Sequence, residues 1–287
     1  MKVLVLGNRG NLGSQWEKLL ISDLGVELTG WDRDSLDMLD FPQLLIKLND
    51  LHPEVVINTV AYNTVDKCEE DDYALAQRLN GELVGVLAEW ALKNQAVFFH
   101  YSTDYVFSGE NKEGYGEETT PDPINNYGRS KLLGEKELLA REALGLKYYL
   151  IRTSKLFGPQ GKSEMAKPSF FAIMRRLADE QPELKVVDGE LSCFTYTPDL
   201  AVASWRLFTG QLPFGIYHLV NSGPATWLQG AKTLFKLLNR EVPITPVRPE
   251  DLKRLAARPK ASVLLNTKVA QLRHYSEALK EYLLLNR

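Results

Sequence analysis

Lys2-Val3-Leu4-Val5-Leu6-Gly7-Asn8-Arg9-Gly10-Asn11-Leu12-Gly13 is an apolar run that stops on a glycine and repeats glycine at every third position. Lys2 to Leu6 reads as a buried strand, GxxGxxG as a tight loop, and Gly13 to Leu20 as the helix after it. Glycines there permit the turn, let main-chain N–H groups approach a pyrophosphate and let the helix pack closely on the strand, while the helix dipole favours an anion. A glycine pattern alone also fits an ordinary packed turn. Here a second strand, Val26 to Trp31, runs into Asp32, an acceptor for ribose hydroxyls, so the elements stand in the order that dinucleotide binding requires. Asp32 favours NAD, whereas Arg9 and Arg33 can pair with the ribose phosphate of NADP.

Working outward, the alternation continues. Phe41 to Leu51 reads as a helix, Val55 to Thr59, Val97 to Tyr101 and Lys147 to Arg152 as strands, with helices at about Leu75 to Asn94 and Tyr127 to Leu144. This predicts an α/β chain with a Rossmann-type doubly wound parallel sheet, ligands lying beyond the carboxyl ends of its strands. After Arg152 the rhythm breaks. Gly158 to Ser163 is a loop, Phe170 to Asp179 a short helix, Ile216 to Val220 one more strand, and the proline-punctuated remainder reads as loops and short helices. The expected division is a dinucleotide-binding domain, 1–152 plus about 196–222, and a smaller C-terminal substrate lobe, 153–195 and 223–287.

Composition excludes several classes. Of 287 residues 44% are hydrophobic and 25% charged, as in ordinary globular domains. A formal charge of −3 offers no broad attraction to nucleic acid or anionic lipid, and no run approaches the roughly 18 apolar residues of a membrane span. Cys68 and Cys193 are too few for a disulfide framework, and His52, His100, His218 and His274 are too scattered for a local zinc motif. The first strand begins at once after Met1, leaving no room for a leader, so cytoplasmic residence is expected.

Tyr127-Gly128-Arg129-Ser130-Lys131 puts a phenol and an ammonium on one helix face, where the cation is expected to lower the phenol pKa and enable proton exchange with a substrate oxygen. Such a pair is common by chance. Its context is His100-Tyr101-Ser102-Thr103-Asp104-Tyr105-Val106-Phe107, a strand ending in hydroxyls at the carboxyl edge of the sheet.

Glycine loop, strand-end hydroxyls and YxxxK, in that order, resemble the extended short-chain dehydrogenase/reductases. HYSTDYVF, YGRSKLLGE, VVINTVAYNTVDKCEED (Val55 to Asp71), IRTS, IYHLVNSG and RPKASVLLNT (Arg258 to Thr267) are together similar to the dTDP-4-dehydrorhamnose reductase family over nearly the whole chain. Related dehydratases carry Asp-Glu after the threonine where this chain has Asp104-Tyr105, which disfavours water loss, and epimerases usually carry a serine-rich string.

The resemblance implies NAD(P)H-dependent reduction of the C4 ketone of a nucleotide-linked 4-keto-6-deoxyhexose, dTDP-4-dehydrorhamnose foremost. It implies Thr103, Tyr127 and Lys131 as the catalytic triad, with Tyr127 and Lys131 also touching the cofactor. Gly7, Asn8, Arg9, Gly10, Asn11, Leu12, Gly13, Asp32, Arg33, Asp37, Met38, Val60, Ala61 and Tyr62 would line NADPH, NADH being usable too, and Asp104, Tyr105 and Arg258 would meet the sugar nucleotide. The family usually reads RTSW where Lys155 now stands, and this lysine is expected to reach water or to pair with the substrate diphosphate. The DQxGxPT string is eroded to Gly189-Glu190-Leu191-Ser192-Cys193-Phe194-Thr195, and Ala261 replaces an asparagine. Gln15 and Pro198 stand where some members bind magnesium through glutamates, so no metal is expected. The expected partner is a small nucleotide-sugar substrate, with no nucleic acid or membrane, on a monomer or homodimer. Two rivals are a 4-ketoreductase for another nucleotide deoxysugar and a non-catalytic dinucleotide-binding subunit resembling the methionine adenosyltransferase β subunit.

Overall fold

The structure is a computed structural model describing residues 1–164 and 166–285. In chain order the elements are β1 (Lys2–Leu6), α1 (Gly13–Leu20), β2 (Glu27–Trp31), α2 (Phe41–Leu51), β3 (Val55–Asn58), α3 (Tyr73–Gln77), α4 (Leu83–Lys93), β4 (Val97–Thr103), α5 (Asn126–Leu139) and β5 (Lys147–Thr153). Then follow β6 (Leu156–Phe157), α6 (Phe170–Glu180), β7 (Leu184–Val187), β8 (Thr195–Tyr196), α7 (Thr197–Thr209), β9 (Gly215–His218), β10 (Asn221–Ser222), α8 (Trp227–Leu237), β11 (Ile244–Val247), β12 (Leu272–His274) and α9 (Tyr275–Leu285).

The central sheet has six strands in the order β2-β1-β3-β4-β5-β9, with every pairing parallel. Its inner strands β1, β3, β4 and β5 are almost wholly buried because both faces are covered. Successive residues of β1 serve opposite cores: Leu4 and Leu6 join α2 and α4 through Leu44, Leu48, Leu87 and Trp90, while Val3 and Val5 join α1 and α7 through Trp16, Leu20, Leu200 and Trp205. Trp16 is fully buried and donates its indole N–H to the Tyr101 hydroxyl at 2.9 Å. Truncating such a side chain to alanine typically costs about 3–5 kcal/mol. Chain order reverses between β1 and β3, the switch point beyond whose carboxyl ends open sheets of this kind bind their ligands.

A third core lies outside this sheet. Phe157, Phe171, Phe194, Tyr196, Leu228, Leu234, Tyr275 and Leu279 pack together, bordered by the short parallel pairs β6–β8 and β7–β11. Val106, Phe107, Tyr115, Cys193, Val263 and Leu264 form a fourth cluster.

The expected helix from Leu75 to Asn94 is observed as α3 and α4 joined through a π-turn at Arg78–Glu82, and the helix after Tyr127 stops at Leu139 instead of Leu144. The remainder expected to hold short helices contains α8 and α9, each of 11 residues. Thr226 starts α8 with a capping box, its hydroxyl accepting from Gln229 N and the Gln229 side chain answering.

Candidate active site

The glycine loop connects β1 to α1. A Cβ on Gly13 would overlap the carbonyl of Gly7, so helix and strand approach as closely as they do only without one. Gly7 has φ of +77° and donates its N–H to Trp31 O at 2.7 Å. Asn8 bonds Glu17 at 3.1 Å and leans on Gly30, while Leu12 is buried before α1. Asn11 donates to Lys167 O and accepts from Gly161 N, both at 2.8 Å, so Gly161 and Lys167 lie directly on the glycine loop.

Asp32 is buried after β2, its Oδ1 accepting from Asp34 N at 3.0 Å while Oδ2 has no hydrogen bond among the described residues. Arg9 reaches over it, pairing with Asp34 and lying 3.5 Å from Asp32. Arg33 and Asp37 are exposed, and Met38 is buried in the adjoining core. After β3, Val60 N–H is held by Asn58 at 3.0 Å, Ala61 is exposed, and Tyr62 is fixed by Asn80 at 2.9 Å and by its hydroxyl to Asp72.

At the end of β4, Thr103 donates to Asp104 Oδ1 at 3.2 Å and accepts from Tyr105 N at 3.2 Å. Tyr127 stands in the first turn of α5, which Asn125 caps through Gly128 N at 2.7 Å. The Tyr105 ring meets the Tyr127 ring edge-on at 5.8 Å, and a Cβ on Gly128 would strike the Tyr105 carbonyl. Lys131, one turn on, is buried and donates to Tyr101 O at 2.6 Å. Thus Thr103 ends β4, Lys131 is bonded to Tyr101 of the same strand, and Tyr127 stands one turn before that lysine with its ring against Tyr105.

The ionisation of the pair differs from the expectation. Burial raises the Tyr127 pKa above the usual phenol value, and the same desolvation lowers Lys131 to about 8 against the opposing pull of Glu135. The resting phenol is therefore protonated, the form a proton donor needs.

Of the residues expected at the sugar nucleotide, Asp104 is buried behind Thr103, also taking the Ser262 hydroxyl, and burial raises its pKa. Arg258 forms a bidentate pair with Asp66, at 3.0 and 2.7 Å. Lys155 neither reaches out to solvent nor stands free for a diphosphate. Its Nζ donates to the carbonyls of Glu190 and Ala225 at 3.1 and 3.2 Å and lies over the Trp227 and Phe194 rings at 4.2 and 5.0 Å. With φ of +38° its backbone turns the side chain into this cage, and burial lowers its pKa to about 8.

The family model described as RmlD substrate binding domain matches residues 1–286. The chain belongs to this family. Among its relatives, the dTDP-4-dehydrorhamnose reductase of Burkholderia thailandensis is 35% identical over 98% of this chain and 92% of that protein. The spore coat polysaccharide biosynthesis protein SpsK of Bacillus subtilis is 33% identical over 98% of this chain and 96% of its own length. The crystal structure of dTDP-4-dehydrorhamnose reductase from Bacillus anthracis in complex with NADP superposes with a TM-score of 0.91, at 31% identity and 99% coverage of both chains.

Several residues of this family member carry site geometry that sequence reasoning assigned no role. Glu135 follows Lys131 by four residues and holds Arg152 of β5 in a fully buried bidentate pair at 3.0 and 2.7 Å, locking α5 to the sheet. The spacing from Lys131 was the available signal. Asp66, Glu190 and Ser262 gave none, since their partners lie far off in sequence. Among the described residues no group of three or more His, Cys, Asp or Glu could hold a metal, and no helix is long and apolar enough to cross a membrane.

Proposed function

We propose that this protein reduces the C4 ketone of a dTDP-linked 4-keto-6-deoxyhexose, dTDP-4-dehydrorhamnose, with NADPH as reductant. The observation that carries this reading is the placement of Tyr127 and a buried Lys131 one turn apart on α5, the lysine bonded to Tyr101 O of β4 and Thr103 ending that strand, on the same sheet edge as the glycine loop. The relatives named as reductases of this sugar support it.

The residues present fit the cofactor: a loop closed so tightly that Gly13 admits no Cβ, a helix N-terminus facing it, and a buried Asp32 oxygen with no hydrogen bond among the described residues. Gly7 to Gly13, Asp32, Arg9, Arg33 and the 60–62 segment would hold it, and when bound it supplies the hydride. Tyr127 gives its proton to the C4 oxygen. Thr103, whose hydroxyl proton rests on Asp104 Oδ1, turns that proton to the same oxygen, and Ser262 holds Asp104 behind it. Lys131 would help to hold the cofactor and, as an ammonium, stabilises the phenolate left after proton transfer. We assign Tyr105 and Arg258 to the sugar nucleotide, and 153–195 with 223–287 to the lobe that carries it; Lys155 belongs to the wall behind that site. We infer an enzyme of the cytoplasm, acting as a monomer or homodimer.

The test is product analysis. Incubated with NADPH and dTDP-4-dehydrorhamnose, the protein should yield the 4-hydroxy sugar nucleotide, deuterated at C4 when the cofactor is 4-deuterated. Reduction of a different keto sugar in preference would move the assignment within the same chemistry.

A further inference from the structure

The 3₁₀ turn Asp66–Glu69, which follows β3, touches both the catalytic helix and the C-terminal loop. On one side Glu69 Oε1 accepts from Asn126 N at 2.7 Å and Cys68 O accepts from Asn126 Nδ2 at 3.0 Å, so the turn fixes the residue just before Tyr127. On the other side Asp66 Oδ1 accepts from Ala256 N and from Arg258 Nη1, both at 3.0 Å, and Oδ2 accepts from Arg258 Nη2 at 2.7 Å.

Counting the donors of Arg258 gives this contact a direction. A guanidinium has five N–H groups: an end fork from Nη1 and Nη2, a side fork from Nε and Nη2, and one remaining Nη1 proton. Asp66 occupies the end fork, and the remaining Nη1 proton goes to Ala256 O at 2.8 Å. The side fork is left with no hydrogen bond to any described residue. Two parallel N–H bonds of that spacing match two oxygens of one phosphate. The Arg258 side chain is only 11% exposed. A guanidinium gripped at its end and rigidly presented at its side loses little freedom on meeting an anion.

We propose that Asp66 is a positioning residue for the nucleotide-sugar diphosphate: it holds the end fork of Arg258 so that the side fork takes one phosphate, and through Glu69 and Asn126 the same turn sets the distance from that phosphate to Tyr127. This rests on the nucleotide-sugar reading above. It makes Asp66 a helper of anion binding although it is itself an anion. The opposite arrangement, in which Asp66 competes with the phosphate for Arg258, gives the opposite sign.

The experiment is calorimetric titration of thymidine diphosphate into the NADPH-loaded full-length protein, comparing wild type with Asp66→Ala, Asp66→Asn, Arg258→Ala and the double variant Asp66→Ala/Arg258→Ala. Asp66→Ala should weaken thymidine diphosphate binding on the order of tenfold or more, and Asp66→Asn, which keeps an acceptor, severalfold. The double variant should bind no worse than Arg258→Ala, because the aspartate acts through the arginine. NADPH affinity should stay at the wild-type value, and the KM for the keto sugar should rise far more than kcat falls, a split that a general loss of structure would not give. If Asp66→Ala does not fold, Asp66→Asn carries the test. Unchanged or tighter binding in the Asp66 variants overturns the proposal while leaving the nucleotide-sugar reading intact; failure of the wild type to bind thymidine diphosphate overturns both.

Discussion

Lys155 Nζ donates to the main-chain carbonyl of Glu190 at 3.1 Å, while the carboxylate of Glu190 takes the Trp227 indole N–H at 3.0 Å and pairs with Arg254. Leu191 in turn bridges to Ala261, its N–H donating to Lys260 O at 2.8 Å. The places where this chain departs from the family's usual strings are thus neighbours in space. Lysine replaces an indole in sequence, but Trp227 and Phe194 supply aromatic faces around it, and two carbonyl oxygens accept hydrogen bonds from its ammonium.

Lys155→Trp follows from that geometry. An indole does not fit a cage sized for an ammonium, and overpacking should cost about 1–3 kcal/mol, read as a lower denaturation midpoint. Because the ammonium is committed to Glu190 and Ala225 rather than to substrate, Lys155→Met should leave the salt dependence of KM as in wild type. A flattened salt dependence would place Lys155 against the diphosphate after all.

Cofactor choice should turn on the arginines at the end of β2. Arg9 is already shared with Asp32 and Asp34, whereas Arg33 is exposed on the same loop. Both cofactors should bind, with NADPH modestly preferred, and Arg33→Ala should cut that preference by about tenfold, the scale of a charge-assisted hydrogen bond of about 1.5–3 kcal/mol. Dissociation constants of NADPH and NADH for the two proteins decide it; an unaltered ratio clears Arg33.

Turnover should fall above pH of about 8, where the buried Lys131 loses its proton, while Tyr127, whose pKa burial raises, remains protonated. A profile of kcat from pH 6 to pH 10 checks this, with Lys131→Met expected to lose both the limb and most of the activity. A flat profile through pH 10 would remove Lys131 from the chemistry.

Acid stability carries a separate signature. His218, buried against Arg152 and Glu117, has its pKa lowered by desolvation to about 4, and the fully buried His100 also lies well below its ordinary value. The folded state resists protonating these rings and the unfolded state does not. Their contribution is therefore fully present above pH of about 6.5 and is lost as pH falls through that value towards 4, on the order of a few kcal/mol. Urea midpoints between pH 7 and pH 4.5 should decline accordingly, and His218→Gln should flatten the decline.

Much of this was legible in the sequence because it was local. The β1–α1 unit and α2 have the bounds their patterns predict, and Tyr127 with Lys131 follows from helical spacing alone. What was not legible depends on residues brought together from afar. No window around Lys155 reveals that the Trp227 ring lies over its ammonium, nor does any window around Asp66 reveal a partner 192 residues on. The sign of the Tyr127 shift was missed for the same reason: charge proximity is written in spacing, burial is not.

The central claim is catalysis through Tyr127, and single-turnover oxidation of bound NADPH on adding dTDP-4-dehydrorhamnose tests it most directly. Wild type should oxidise the cofactor stoichiometrically, and Tyr127→Phe should bind NADPH with unchanged affinity yet react on the order of 10²-fold or more slowly. Wild-type protein that binds NADPH tightly but never oxidises it, or a Tyr127→Phe variant as fast as wild type, would contradict the account.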